Sequence, residues 1–159
     1  MRANVDYQAA YDEPSNAAGG GAVSVNGLEM YYESRGVGRP LVLLHGAMST
    51  IETSFGAVIP HLAQTRRLIA VEQQGHGRTP DANRPLSYAQ MARNTAMLIR
   101  KLNIEKADFF GYSMGAGIAL ELAMQYPELV RRLIVASLAY SNDGFQSRHR
   151  CAVDGDRTG

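Results

Sequence analysis

Hydrophobic and polar positions fall into three patterns along this chain, and each predicts a different kind of element. Val23-Ser24-Val25 and Leu28 to Glu33 flank Asn26-Gly27. That dipeptide tolerates the positive φ that a type I′ turn needs at both central residues, so the stretch predicts a β-hairpin. Leu41-Val42-Leu43-Leu44 and Leu68-Ile69-Ala70-Val71 are instead apolar without interruption. Short runs of this kind suit strands buried on both faces, as in a parallel sheet. Ala107-Asp108-Phe109-Phe110 and Leu133 to Ala139 are read as two more strands, the last of them buried. The third pattern is helical. Phe55, Val58, Ile59 and Leu62 predict a helix within Phe55 to Ala63, with Pro60 in a first turn or at a break. Ser87-Tyr88-Ala89-Gln90 has the form of a capping box. The helix it opens places Tyr88, Met91, Ala92, Leu98, Ile99 and Leu102 on one face. Gln90, Arg93, Asn94, Arg100 and Lys101 fall mostly on the wet side. Ala116 to Gln125 is a further helix, rich in small residues at its start and closed by Tyr126-Pro127.

Strand and helix alternate after the hairpin, which predicts an α/β domain with a mostly parallel sheet and an N-terminal β-hairpin. Ligands of such sheets gather beyond the C-terminal ends of the strands. His45-Gly46-Ala47, the Gly75-His76-Gly77 loop and Ser113 all follow strand ends, so they are expected on one rim. Residues 1–21 are polar and end in glycines, and read as a flexible leader. Residues 22–145 carry the domain. Residues 146–159 lack apolar periodicity and read as an unstructured, foreign-looking tail, as a frame-shifted reading would give.

Composition narrows the picture. The chain has 159 residues, 45% hydrophobic and 19% charged, which fits one globular domain. A net charge of +1 gives no basic excess for nucleic acid or an anionic membrane. Cys151 is the single cysteine, so a disulfide scaffold is excluded. No apolar run approaches the ~20 residues of a membrane span, and the N-terminus lacks a secretory apolar core. A cytoplasmic protein is the default expectation. The four histidines show no metal-ligand spacing, and the glycines lack a P-loop lysine or the G-x-G-x-x-G order. No cofactor or metal is expected.

The candidate chemistry sits at Gly111-Tyr112-Ser113-Met114-Gly115, a G-x-S-x-G directly after a strand and directly before a helix. A serine on so tight a turn projects its hydroxyl above the sheet, and the glycines leave room for the reversal. The helix start also places the Met114 N–H where an oxyanion could develop. Met48 and Met114 could line an apolar acyl pocket, and His76 could line it from its rim loop. His45 reads as a local hydrogen-bonding residue and His61 as a surface one.

From about Val23 to about Phe145 the chain resembles the N-terminal part of an α/β-hydrolase of the single-domain esterase and lactonase type. His45-Gly46-Ala47-Met48-Ser49 resembles the family's His-Gly oxyanion loop, and Gly111 to Gly115 its nucleophile elbow. Glu72-Gln73-Gln74-Gly75-His76-Gly77-Arg78-Thr79 is similar to the loop written D-x-x-G-x-G-x-S, with glutamate as the acid and threonine as the last hydroxyl.

The resemblance implies a serine hydrolase of carboxylic esters or lactones, with Ser113 forming an acyl-enzyme and the N–H groups of Ala47 and Met114 holding the oxyanion. It also implies an acid and then a histidine after the serine. The only later histidine is His149, and neither it nor Asp154 or Asp156 follows a strand pattern, so no triad acid or base is identified. The chain therefore reads as truncated before the last strands, inactive alone, and open to self-association along the exposed edge of its last strand. The expected partner is a small-molecule ester or lactone. The alternatives are a non-catalytic fragment that binds ligand or a partner chain, and a relative such as a C–C hydrolase or cofactor-free haloperoxidase.

Overall fold

The computed structural model describes residues 19–138. Six strands form one sheet: β1 (Gly19–Val25), β2 (Leu28–Arg35), β3 (Arg39–Leu44), β4 (Arg66–Val71), β5 (Ala107–Tyr112) and β6 (Val130–Ala136). Their order across the sheet is β1-β2-β4-β3-β5-β6. β1 and β2 pair antiparallel, β2 joins β4 antiparallel, and β4, β3, β5 and β6 run parallel. This is the α/β-hydrolase-like arrangement. Asn26 and Gly27 take φ of 51° and 70°, as the type I′ turn requires. β1 begins at Gly19, inside the stretch read as leader.

The apolar runs are buried on both faces because helices cover both. α1 (Ile51–Phe55) and α2 (Ile59–Leu62) pack on one face against Leu41, Leu43, Leu68 and Ala70. α3 (Tyr88–Lys101) and α4 (Met114–Gln125) pack on the other against Val42, Leu44, Ile69, Val71 and Phe109. Odd and even positions of one strand thus feed two separate cores. No helix among the described residues is long and apolar enough to cross a membrane.

Four local expectations are corrected. The helix expected over Phe55 to Ala63 is two short helices, with Pro60 in the first turn of the second. Thr50 caps the first of them through a reciprocal bond with Thr53. At α3, the Ser87 hydroxyl accepts from the Gln90 N–H, but the Gln90 side chain turns to Asn94 instead of closing the box. Asn94 is buried and not wet, because its Oδ1 also accepts from Asn26 and ties the hairpin turn to α3. β6 is not fully buried, since it pairs with β5 alone among the described strands and leaves Ile134 52% exposed.

Below the rim, Asp108 on β5 is buried between Arg66 of β4 and Arg131 of β6. Burial raises its pKa, but hydrogen bonds from Arg131 and Arg66 outweigh that and hold the carboxyl below the usual aspartate range. A depressed pKa stabilises the fold above the unfolded value near 4 and loses that stabilisation as pH falls through the folded value. Asp108→Asn should cost about 2 kcal/mol at pH 7, less than for a fully buried pair because both arginines are about a quarter exposed. Urea unfolding at pH 7 and pH 3 should show the variant losing less stability on acidification than the parent.

Candidate active site

The strand order builds the site. β3 is followed by its neighbour β4, and the next connection returns across β3 to place β5 on its other side. The helices leave these strands on opposite faces, so a crevice opens beyond the ends of β3 and β5. Leu44 pairs with Gly111, which brings the loop after β3 beside the turn after β5. Had Gly46 a Cβ, it would lie 3.5 Å from Ser113 Cβ and 3.1 Å from the Tyr112 ring.

Ser113 occupies that turn with φ 52° and ψ −112°. Its N–H donates to Ala136 O (2.9 Å), and its carbonyl accepts from the N–H groups of Ala116 and Gly117. It stands at the N-cap of α4, yet its side chain makes no capping bond. Ser87 shows the contrast: extended at φ −145°, ψ 150°, it spends its hydroxyl on its helix. The Ser113 backbone geometry costs roughly 1–3 kcal/mol for a residue with a Cβ, and leaves a partly exposed, uncommitted hydroxyl at the crevice. The flanking glycines permit the turn. A Cβ on Gly115 would run into the Leu44 carbonyl, and one on Gly111 into the Gly115 carbonyl. Met114, first residue of α4, has an N–H with no carbonyl a turn earlier in its own helix.

The loop after β3 is held through the Gly46 peptide. His45 is fully buried, and its Nε2 accepts the Gln73 N–H (3.0 Å). Its proton is therefore on Nδ1, which donates to Gly46 O (2.7 Å). Ser49 Oγ donates to the same oxygen (2.8 Å). Ser54 Oγ, 2.8 Å from Ser49 Oγ, accepts the Gly46 N–H at 3.5 Å. A trans peptide is planar, so fixing the Gly46 carbonyl fixes the Ala47 N–H in the opposite direction. Ala47 itself is exposed at the rim. Burial pushes the His45 pKa down, and neighbouring His76 adds to this. With both nitrogens committed, His45 is a structural clamp.

The loop after β4 is organised by Glu72. Its buried carboxylate accepts from Arg78 Nε (3.1 Å), Arg78 Nη2 (3.0 Å) and the Arg78 N–H. Burial raises its pKa, and these bonds together with the Ile51 N–H bring it below the usual range. Arg78 also lies 3.8 Å over the Tyr31 ring. Thr79 Oγ1 donates to Glu72 O and accepts the Tyr31 N–H. The two departures from the family pattern thus hold one loop together.

The other candidates are placed as follows. His76 packs on His45 with ring centroids 5.1 Å apart, and its Nδ1 is 2.9 Å from Gln74 O. Met48 is 98% exposed. A cavity of about 370 Å³ opens beside the elbow, lined by Ala47, Leu86, Ser87, Tyr88, Met91 and Met114. Neither Met48 nor His76 is among its walls. His61 is exposed on α2. His149, Asp154 and Asp156 lie outside the described residues. No group of three or more acidic, histidine or cysteine side chains placed for a metal occurs among the described residues. Sequence reasoning assigned no site role to Ser54, Leu86 and Tyr88: Ser54 acts through the Gly46 backbone N–H, and Leu86 and Tyr88 meet Ala47 and Met114, which are distant in the chain.

Residues 39–148 match the family described as the alpha/beta hydrolase fold. The chain belongs to that family. It is 37% identical over 120 residues to 2-hydroxymuconate semialdehyde hydrolase of Pseudomonas sp. (strain CF600), covering 71% of this chain and 41% of that protein. The solved epoxide hydrolase CorEH superposes with a TM-score of 0.73 at 29% identity, over 77% of this chain and 43% of that one. Est816, described as an N-acyl homoserine lactone degrading enzyme, gives a TM-score of 0.71 at 25% identity, over 81% and 52%. The chain thus spans about half or less of the length of each of these proteins.

Proposed function

We propose that this chain carries the nucleophile half of a serine hydrolase acting on carboxylic esters or lactones. The observation behind this reading is Ser113, held in a strained turn with a hydroxyl that caps nothing, beside the Gly46-Ala47 peptide. Its Oγ would attack the substrate carbonyl and form an acyl-enzyme. The N–H groups of Met114 and Ala47 would hold the oxyanion, each worth roughly 3 kcal/mol in the transition state. A serine needs a base to take its proton. His45 has both nitrogens engaged, and His76 packs against it, so the base and acid are assigned to segments beyond the described residues. The described residues thus supply the nucleophile and the oxyanion donors without a base.

A fluorophosphonate tests this. Ser113 should be labelled in preference to every other serine, slowly, and faster when imidazole is added as a surrogate base. Ser113→Ala should abolish the label. Labelling without preference for Ser113 in a folded sample would overturn the reading and favour a non-catalytic piece that binds ligand or a partner through the β6 edge. The Pseudomonas relative supports a second reading, hydrolysis of a C–C bond by the same serine machinery. Epoxide opening through an ester intermediate needs a carboxylate nucleophile, and the elbow here carries serine.

A further inference from the structure

We infer that the cavity between the elbow and the start of α3 is an acyl site for carboxylic acids whose chain is uncharged and apolar, alkyl or aryl. The inference rests on the serine hydrolase reading for its chemistry, but its test does not require a reactive serine. The cavity holds about 370 Å³, within the range of small-molecule pockets. Two of its walls are Ala47 and Met114, whose N–H groups are the proposed oxyanion donors. A carbonyl or carboxylate seated there sends its substituent toward Leu86, Tyr88 and Met91, which come from the start of α3 and the loop before it.

The chemistry of the walls sets the class. No lining residue among the described ones is charged. The Ser87 hydroxyl already accepts the Gln90 N–H. A second carboxylate at the far end of an acyl chain would lose its hydration with no cation to receive it. An apolar chain instead meets leucine, tyrosine and two methionines, and the flexible thioethers adapt to alkyl or aryl shapes.

Gly117 decides where the Tyr88 wall stands. A Cβ on Gly117 would fall 2.6 Å from Tyr88 Cε2. The bare glycine lets the ring come close against α4. An alanine there displaces the ring, which is half exposed and free to move, and so reshapes the cavity. Tyr88 and Gly117 are thus a specificity pair contributed by facing helices.

The experiment uses the full chain labelled with methyl-¹³C methionine, titrated with acetate, butanoate, hexanoate, octanoate and the eight-carbon dicarboxylate suberate. Octanoate should shift the Met91 and Met114 methyl resonances. Met48 and Met124, which are exposed, should stay still. Affinity should rise by roughly two- to fourfold per added methylene from acetate to octanoate, the upper figure for full burial, and suberate should bind at least about tenfold more weakly than octanoate. Leu86→Ala and Gly117→Ala should each weaken octanoate by roughly threefold or more without lowering the urea midpoint. Equal binding of suberate and octanoate, shifts spread over all methionines, or no dependence on chain length would overturn the inference. Ser113→Ala separates the two readings. Octanoate binding that survives in it supports the acyl site even if fluorophosphonate shows no preference for Ser113. Selective labelling of Ser113 with no octanoate binding leaves the nucleophile and removes the acyl site.

Discussion

Ser113→Gly should abolish fluorophosphonate labelling and at the same time make the chain more stable. The parent holds a Cβ at φ 52°, ψ −112°, a conformation close to the mirror image of an ordinary extended one, which glycine adopts freely. Removing the side chain releases strain of roughly 1–3 kcal/mol, partly offset by the greater freedom of glycine in the unfolded chain. A net gain of about 1 kcal/mol is expected, seen as a rise of several degrees in Tm. Ser113→Ala keeps the Cβ and the strain, so it should lose the label without gaining stability. Calorimetry of the three proteins beside the labelling assay gives the answer. A glycine variant less stable than the parent would mean that the elbow is relaxed, and would remove the sign that a reactive geometry is being held against a local cost.

The second large effect is expected at Gly115. An alanine there would drive its Cβ into the Leu44 carbonyl oxygen and carbon. Those atoms are backbone of β3, which is hydrogen-bonded to β4 on one side and β5 on the other and has nowhere to move. Overpacking of this kind against fixed atoms costs about 3 kcal/mol, the upper end of the usual range, a large part of the total stability of a small domain. Gly115→Ala should therefore unfold at a much lower urea concentration, followed by circular dichroism. Gly117→Ala, two residues on, is the control. The three atoms nearest its Cβ all belong to the movable Tyr88 ring, and alanine favours the helix. Equal stability of Gly115→Ala and the parent would show that α4 does not approach β3 as closely as the elbow requires.

The legible parts of the fold were those whose physics is local. Asn26-Gly27 declared the hairpin because few other residues accept two successive positive φ values. The unbroken runs Leu41 to Leu44 and Leu68 to Val71 declared strands covered on both faces, and both faces are covered. The serine between two glycines declared a turn that only such neighbours allow. Asn94 was misread because helical spacing alone places it on the wet side. It is buried by the turn of a distant hairpin, and no local pattern carries that contact. Gln90 was misread because its side chain found Asn94, a partner as good as the backbone N–H of the capping box.

The sequence by itself determined most element types, the tight turn at Ser113 and the family, because dihedral limits, side-chain periodicity and short motifs act within a few residues. The tertiary structure decided which strands are neighbours. Only the pairing of β3 with β4 and the return of the chain across β3 set the Gly46-Ala47 peptide beside Ser113, engage His45 Nε2 with the Gln73 N–H, and open a cavity between Ala47, Tyr88 and Met114. Those contacts join residues tens of positions apart, and their energies depend on burial and direction, which a linear string does not contain.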